Sequence, residues 1–205
     1  IAVSSPYLVQ SSGAMGQWNS DRFFLIRELV EGQTLRALIN QGQRPSVECF
    51  RQVASGLLHA LGALHSHQSQ DHEPAPLVHG DVKPDNIILT KADEPKLTDF
   101  SVTGPVRVDL FAGTAGYVPP DKILGEEMAF APDGDLFALG VTLWEWLFGQ
   151  RPYENPTIDA APPEAPPLDP DYPTGWGGWL RRAVATRQTE RFSSAQEMRA
   201  AFETA

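Results

Sequence analysis

Two hundred and five residues, 41% of them apolar and 20% charged, suffice for one domain with a substantial core and exclude a disordered chain. A net charge of −10 argues against nucleic acid or an anionic membrane as partner, because neither tolerates an uncompensated acidic surface. Cys49 is the single cysteine, so no internal disulfide can form and a reducing cytoplasm is the expected setting.

In chain order, Tyr7-Leu8-Val9-Gln10 and Phe23-Phe24-Leu25-Ile26 are short β-prone runs and predict two neighbouring strands. Gly13-Ala14-Met15-Gly16 is expected in the turn between them, and Gly32 is expected to end the second. Thr34 to Ile39 fits a short helix. From Ser46 to His65, apolar residues at Val47, Phe50, Val53, Leu57, Leu61 and Leu64 recur at three and four. That spacing makes one buried stripe, and Pro45-Ser46 supplies its start. Cys49 falls in the first turn of this helix, as an inert thiol.

Gln68 to Pro76 is polar and reads as a loop. Ile87-Ile88-Leu89 and Lys96-Leu97-Thr98 predict two strands around the turn-like Ala92 to Pro95. Leu136 to Phe148 is apolar nearly all round, a helix for the middle of a domain; it is too short to span a bilayer and Glu145 interrupts it. Asp159 to Pro173 is Pro-rich and predicts a surface connection. Trp179 to Arg187 fits a short amphipathic helix, with Trp176 and Trp179 as packing groups. Ser194-Ala195-Gln196-Glu197 is a capping box that opens a last helix, with Met198 and Phe202 inward. No charged leader with an apolar core opens the chain, so no signal peptide is expected. The chain opens on Ile1 and is read as part of a longer polypeptide.

The segment that carries chemistry is His79-Gly80-Asp81-Val82-Lys83-Pro84-Asp85-Asn86, followed by Asp99-Phe100-Ser101. Phosphoryl transfer needs a carboxylate to orient the attacking hydroxyl and oxygen ligands to hold Mg²⁺ against phosphates. A loop with Asp81, Lys83 and Asn86, then a strand delivering Asp99, supplies that set.

These residues resemble the catalytic loop of the eukaryotic-like Ser/Thr protein kinases. Gly113 to Asp121 resembles the end of that family's activation segment. Asp135 to Tyr153 is similar to its central helix, Phe24 to Leu35 to its hinge, and Glu190 to Ser194 to its closing helices. The resemblance implies an α+β fold: a mainly helical C-terminal lobe, with short strands at the N-terminus and around the catalytic loop. Residues 1–31 would be hinge and remnant of a small lobe, and 32–205 the large lobe. It implies ATP and Mg²⁺ as cofactors and a protein substrate, which the acidic balance would favour as basic.

Residue by residue, the resemblance makes Asp81 the base and Lys83 the group that stabilises the transferring phosphate. Asn86 and Asp99 would ligate Mg²⁺. The backbone of Glu28 and Val30 would bond adenine, Thr34 would lie near the ribose, and Ile88 would floor the ring. Thr114 would position the substrate. Asp121 and Arg191 would form a buried ion pair, while His79, Phe100 and Asp135 would anchor the loop.

The sequence departs from the family in four places. No lysine precedes Lys83, so the family's phosphate-gripping lysine, its paired glutamate and its glycine-rich loop are expected upstream, with the rest of the small lobe. Gly80 replaces the arginine that usually reads a loop phosphate, which argues against control by loop phosphorylation. Ser101 stands where glycine is usual. Thr142 and Trp146 replace medium apolar groups on the central helix. Two other readings stay open: a kinase-fold module that binds a partner without catalysis, and a small-molecule phosphotransferase, many of which share His-Gly-Asp. Outside this set, His65, His67, Asp71, His72 and Glu73 fit no standard zinc spacing. Glu145 is either a docking point for a basic substrate group or half of a buried pair.

Overall fold

Helix α2 (Val47–His65) is the axle of the domain, and its sequence explains both its start and its buried face. Ser46 caps it by accepting from Cys49 N at 3.2 Å. The apolar stripe Phe50, Val53, Leu57, Leu61 and Leu64 is fully sequestered, at about 1.5–3 kcal/mol for each large side chain. In this computed structural model the described residues are 3–19, 22–69, 71–99, 115–123, 131–154, 157 and 160–205.

Helix α4 (Pro132–Phe148) lies beside α2, with Pro132 in its first turn and Gly149 at φ +77° ending it. It is buried on every side, as its composition requires. Gly140 lets α5 (Trp176–Ala183) approach: a Cβ there would meet the Ala183 Cβ at 2.7 Å. Trp176 stacks between Phe50 and Phe202, at 4.7 and 5.3 Å between ring centroids, and so ties α5 to α2 and to α6 (Ala195–Glu203). Ser194 accepts from Glu197 N at 3.1 Å, while the Glu197 carboxylate reaches back to Ser193 N at 2.8 Å, one residue before the cap.

The strands form two sheets. β1 (Ser11–Asn19) and β2 (Arg22–Arg27) make an antiparallel pair that sets Gly16 opposite Phe24 and Ser11 opposite Arg27. β3 (Gly32–Thr34), β4 (Ile87–Thr90) and β5 (Pro95–Leu97) make an antiparallel sheet in the order β3-β4-β5, with Ile88 opposite both Thr34 and Lys96. Thr34 then caps α1 (Leu35–Asn40), accepting from Ala37 N at 3.2 Å. The architecture is α+β, mainly helical, and a short helix α3 (Pro120–Ile123) precedes α4.

Four boundaries differ from the sequence reading. Tyr7 to Gln10 is no strand: Leu8 and Val9 are buried against β5, with Val9 N on the Leu97 carbonyl at 2.9 Å. The first strand is Ser11–Asn19, so Gly13 to Gly16 lies inside it; pairing with β2 overrides the weak strand propensity of glycine. Gly32 does not end a strand but opens β3, where a Cβ would strike the Leu89 carbonyl oxygen. Helix α5 starts at Trp176, not Trp179, and closes at Ala183.

Candidate active site

Asp135 organises the catalytic-type loop. Its carboxylate, 2% exposed in the first turn of α4, accepts His79 N at 2.8 Å and Gly80 N at 2.9 Å. The helix dipole favours a negative charge at that turn. Gly80 takes φ +77°, a region that disfavours any side chain with a Cβ, so the glycine suits the turn that aims both N–H groups at Asp135. His65 Nε2 joins the same carboxylate at 2.8 Å. Among the described residues no group of three or more His, Cys, Asp or Glu could hold a metal.

The His79 ring links the loop to the strand that follows. Its Nδ1 accepts from Asp81 N at 3.2 Å, so the proton sits on Nε2 and is donated to the Thr98 carbonyl at 3.1 Å. Burial holds the His79 pKa below the ordinary histidine value despite Asp135 nearby, in keeping with a neutral ring. Thr98 N in turn donates to the Asn86 carbonyl at 2.9 Å, which sets Asp99 in the chain next to Asn86.

On that frame the polar side chains meet. Asp81 Oδ2 receives Lys83 Nζ at 2.7 Å and Asn86 Nδ2 at 2.8 Å, and the same amide reaches the Asp81 carbonyl at 2.8 Å. Asn86 thus spends its donor on Asp81 and keeps its oxygen. That oxygen and the Asp99 carboxylate are hard donors of the type Mg²⁺ prefers, so the residues present fit a site completed by phosphate oxygens and water. Asp99 adopts φ +61°, a conformation aspartate tolerates better than most residues. Its Oδ1 pairs with Arg27 Nη1 from the end of β2.

Between β2 and β3, Glu28 N donates to the Gln10 carbonyl at 2.9 Å, and the Glu28 side chain takes Gln10 N at 3.0 Å and Lys96 Nζ at 3.4 Å. Val30 and Ile88 are half-buried, and the Thr34 hydroxyl serves as the α1 cap. Phe100 and Thr114 lie outside the described residues, as does Ser101.

Two ion clusters brace the segment around residues 115–123. Arg191, buried, takes Asp121 through two nitrogens at 2.9 Å and reaches Asp133 at 3.2 Å. Glu145, 8% exposed, bonds Arg36 Nη1 at 2.7 Å and the Tyr117 hydroxyl, while Arg36 Nη2 also bonds Tyr117 at 2.7 Å. Arg36 Nε reaches Asp85 at 3.2 Å. Burial and the neighbouring carboxylate push the Tyr117 hydroxyl well above its ordinary pKa. For Arg36, burial would favour deprotonation, but the bonds to Glu145 and Tyr117 win and keep it charged.

Glu145 is therefore a buried-pair residue. Thr142 is fully buried, and Trp146 packs against Phe50 at 6.0 Å. Sequence reasoning missed Arg27, Arg36, Tyr117 and the role of His65. Arg27 carried a signal: a charge closing the run Phe23 to Ile26, directly before Glu28.

The mainly helical α+β architecture around this loop is a protein-kinase-like fold. Residues 2–162 match the family model described as protein kinase domain, and the chain belongs to the protein kinase family. It is 33% identical over 163 residues to the serine/threonine-protein kinase PknA of Mycobacterium tuberculosis, covering 73% of this chain and 35% of that protein. The serine/threonine-protein kinase PrkC of Bacillus subtilis is 26% identical over 203 residues, covering 90% of this chain and 29% of the relative. The chain thus spans about a third of the curated relatives' length. The crystal structure of the M. tuberculosis PknI kinase domain shares the fold, with a TM-score of 0.69 at 22% identity over 99% of this chain and 73% of that one.

Proposed function

We propose that this chain carries the catalytic lobe of an enzyme that transfers the terminal phosphoryl group of ATP to serine or threonine of a protein. The observation that supports it most is Asp81, held by Lys83 and Asn86 on a single carboxylate oxygen. With Oδ2 so engaged, Oδ1 is the oxygen that accepts the proton of an incoming hydroxyl. Lys83, whose Nζ is 2.7 Å from Oδ2, would stabilise the transferring phosphate. Asn86 and Asp99 would hold Mg²⁺, whose charge would offset that of the phosphates. The backbone of Glu28 and Val30 receives adenine, with Thr34 toward the ribose, Ile88 beneath the ring, and Thr114 seating the acceptor.

In this reading residues 1–31 are hinge and small-lobe remnant and 32–205 the large lobe, and the setting is the cytoplasm. Among the described residues no helix is long and apolar enough to cross a membrane. Arg36 occupies Glu145, so a basic substrate group would be read by other acidic residues.

A binding module without catalysis is the second reading, favoured by one observation: Arg27 sits on the Asp99 carboxylate that a metal would need. One assay separates them. The chain, joined to the small lobe expected upstream, is given labelled ATP, Mg²⁺ and a mixture of protein substrates, and the product is hydrolysed in acid. Phosphoserine and phosphothreonine are expected. No transfer favours the binding module, and label found only on an aminoglycoside or choline supplied alongside contradicts a protein substrate.

A further inference from the structure

We propose that Arg27 is an internal counter-cation of Asp99 that competes with the divalent ion, so that metal entry requires the guanidinium to let go. The inference rests on the reading of Asp99 as a metal ligand. Arg27 closes β2, and its Nη1 both pairs with Asp99 Oδ1 and donates to Thr98 Oγ1 at 2.6 Å. Thr98 is a fixed point: it is 4% exposed, its N–H is on Asn86 and its carbonyl takes His79. The guanidinium is therefore aimed at the Asp99 carboxylate by a buried anchor rather than by chance contact at the surface.

The lysines nearest this site are committed elsewhere, Lys83 to Asp81 and Lys96 to Glu28. The Arg27 and Asp99 side chains are 43% and 51% exposed, which makes their bond exchangeable in water. A carboxylate shared with a guanidinium offers a cation only the fraction of time it is free, so the apparent metal affinity falls by that fraction. When Asp99 turns to a metal, Arg27 still has Thr98 Oγ1 and stays beside the phosphate-facing carboxylate.

The test is Mn²⁺ binding followed by electron paramagnetic resonance, on wild type, Arg27→Leu, Arg27→Gln and Asp99→Asn. Removing the charge is expected to tighten Mn²⁺ binding by about two- to fivefold, the range an exchangeable surface pair supports. Arg27→Gln should do the same while retaining a polar partner for Thr98, which covers the case in which Arg27→Leu fails to fold. In the Asp99→Asn background the Arg27 substitutions should change nothing. Equal or weaker binding by both Arg27 variants, with binding still lost in Asp99→Asn, overturns this inference and leaves the phosphotransfer reading standing. Binding that ignores Asp99→Asn overturns the metal role of Asp99 and this inference with it.

Discussion

Arg36 and Glu145, from α1 and α4, meet in a two-point ion pair of 2.7 and 3.3 Å directly against the Tyr117 hydroxyl. The pair locks α1 to α4 and fastens Tyr117 to both. Removing one partner leaves a charge with few water contacts. Arg36→Ala is expected to lower stability by roughly 2–4 kcal/mol, somewhat softened by the partial exposure of Arg36. The triple variant Arg36→Met, Glu145→Leu, Tyr117→Phe should recover most of that loss, because the apolar replacements then leave no member of the buried cluster unpaired. Thermal melts of the three proteins read both outcomes.

Asp121 and Arg191 make the second brace. Arg191 is 4% exposed and retains Asp133 at 3.2 Å when Asp121 is gone. Asp121→Ala should therefore cost about 2–3 kcal/mol, less than the full loss of a buried partner. An unchanged denaturant midpoint would show that Asp133 suffices.

A side chain at Gly80 should strain the backbone. At φ +77° an alanine costs about 1–2 kcal/mol of backbone strain. The relaxed loop would also pull its N–H from Asp135 and displace Asp81. Gly80→Ala is expected to lower phosphoryl transfer more than its modest melting shift accounts for, measured as kcat at a temperature where both proteins are folded.

Cys49 gives a pH prediction. Burial, with the Asp93 charge nearby, raises its thiol to about 11. A raised pKa favours the neutral thiol in the fold, so its contribution is fully present below the unfolded value of about 8.5 and is lost as pH rises through the folded value. At pH 8 the native thiol should react with a disulfide reagent far more slowly than in denaturant. Comparable rates in the two would mean that the first turn of α2 opens readily.

Much of this was legible in the residues. The i, i+3, i+4 stripe of α2 and the all-round apolar α4 foretold the core, because helix period and burial are local properties of the sequence. The loop from His79 to Asn86 was legible through its residue types and order. The first strand was not, because Ser11 to Asn19 is polar and glycine-bearing and owes its form to pairing with β2. Arg27 and Arg36 were not legible either. Each finds its carboxylate more than seventy residues away, at Asp99 and Glu145, and no window along the chain contains both partners.

The account stands on Asp81 as the group that takes the acceptor proton. The most direct measurement is phosphate incorporation into protein serine and threonine by wild type and by Asp81→Asn, at matched concentration and with Mg²⁺ and ATP saturating. An asparagine keeps the size of the side chain but cannot take the proton, so a fall of about 10²- to 10⁴-fold in kcat is predicted, with little change in melting temperature. Undiminished transfer by Asp81→Asn would contradict the assignment.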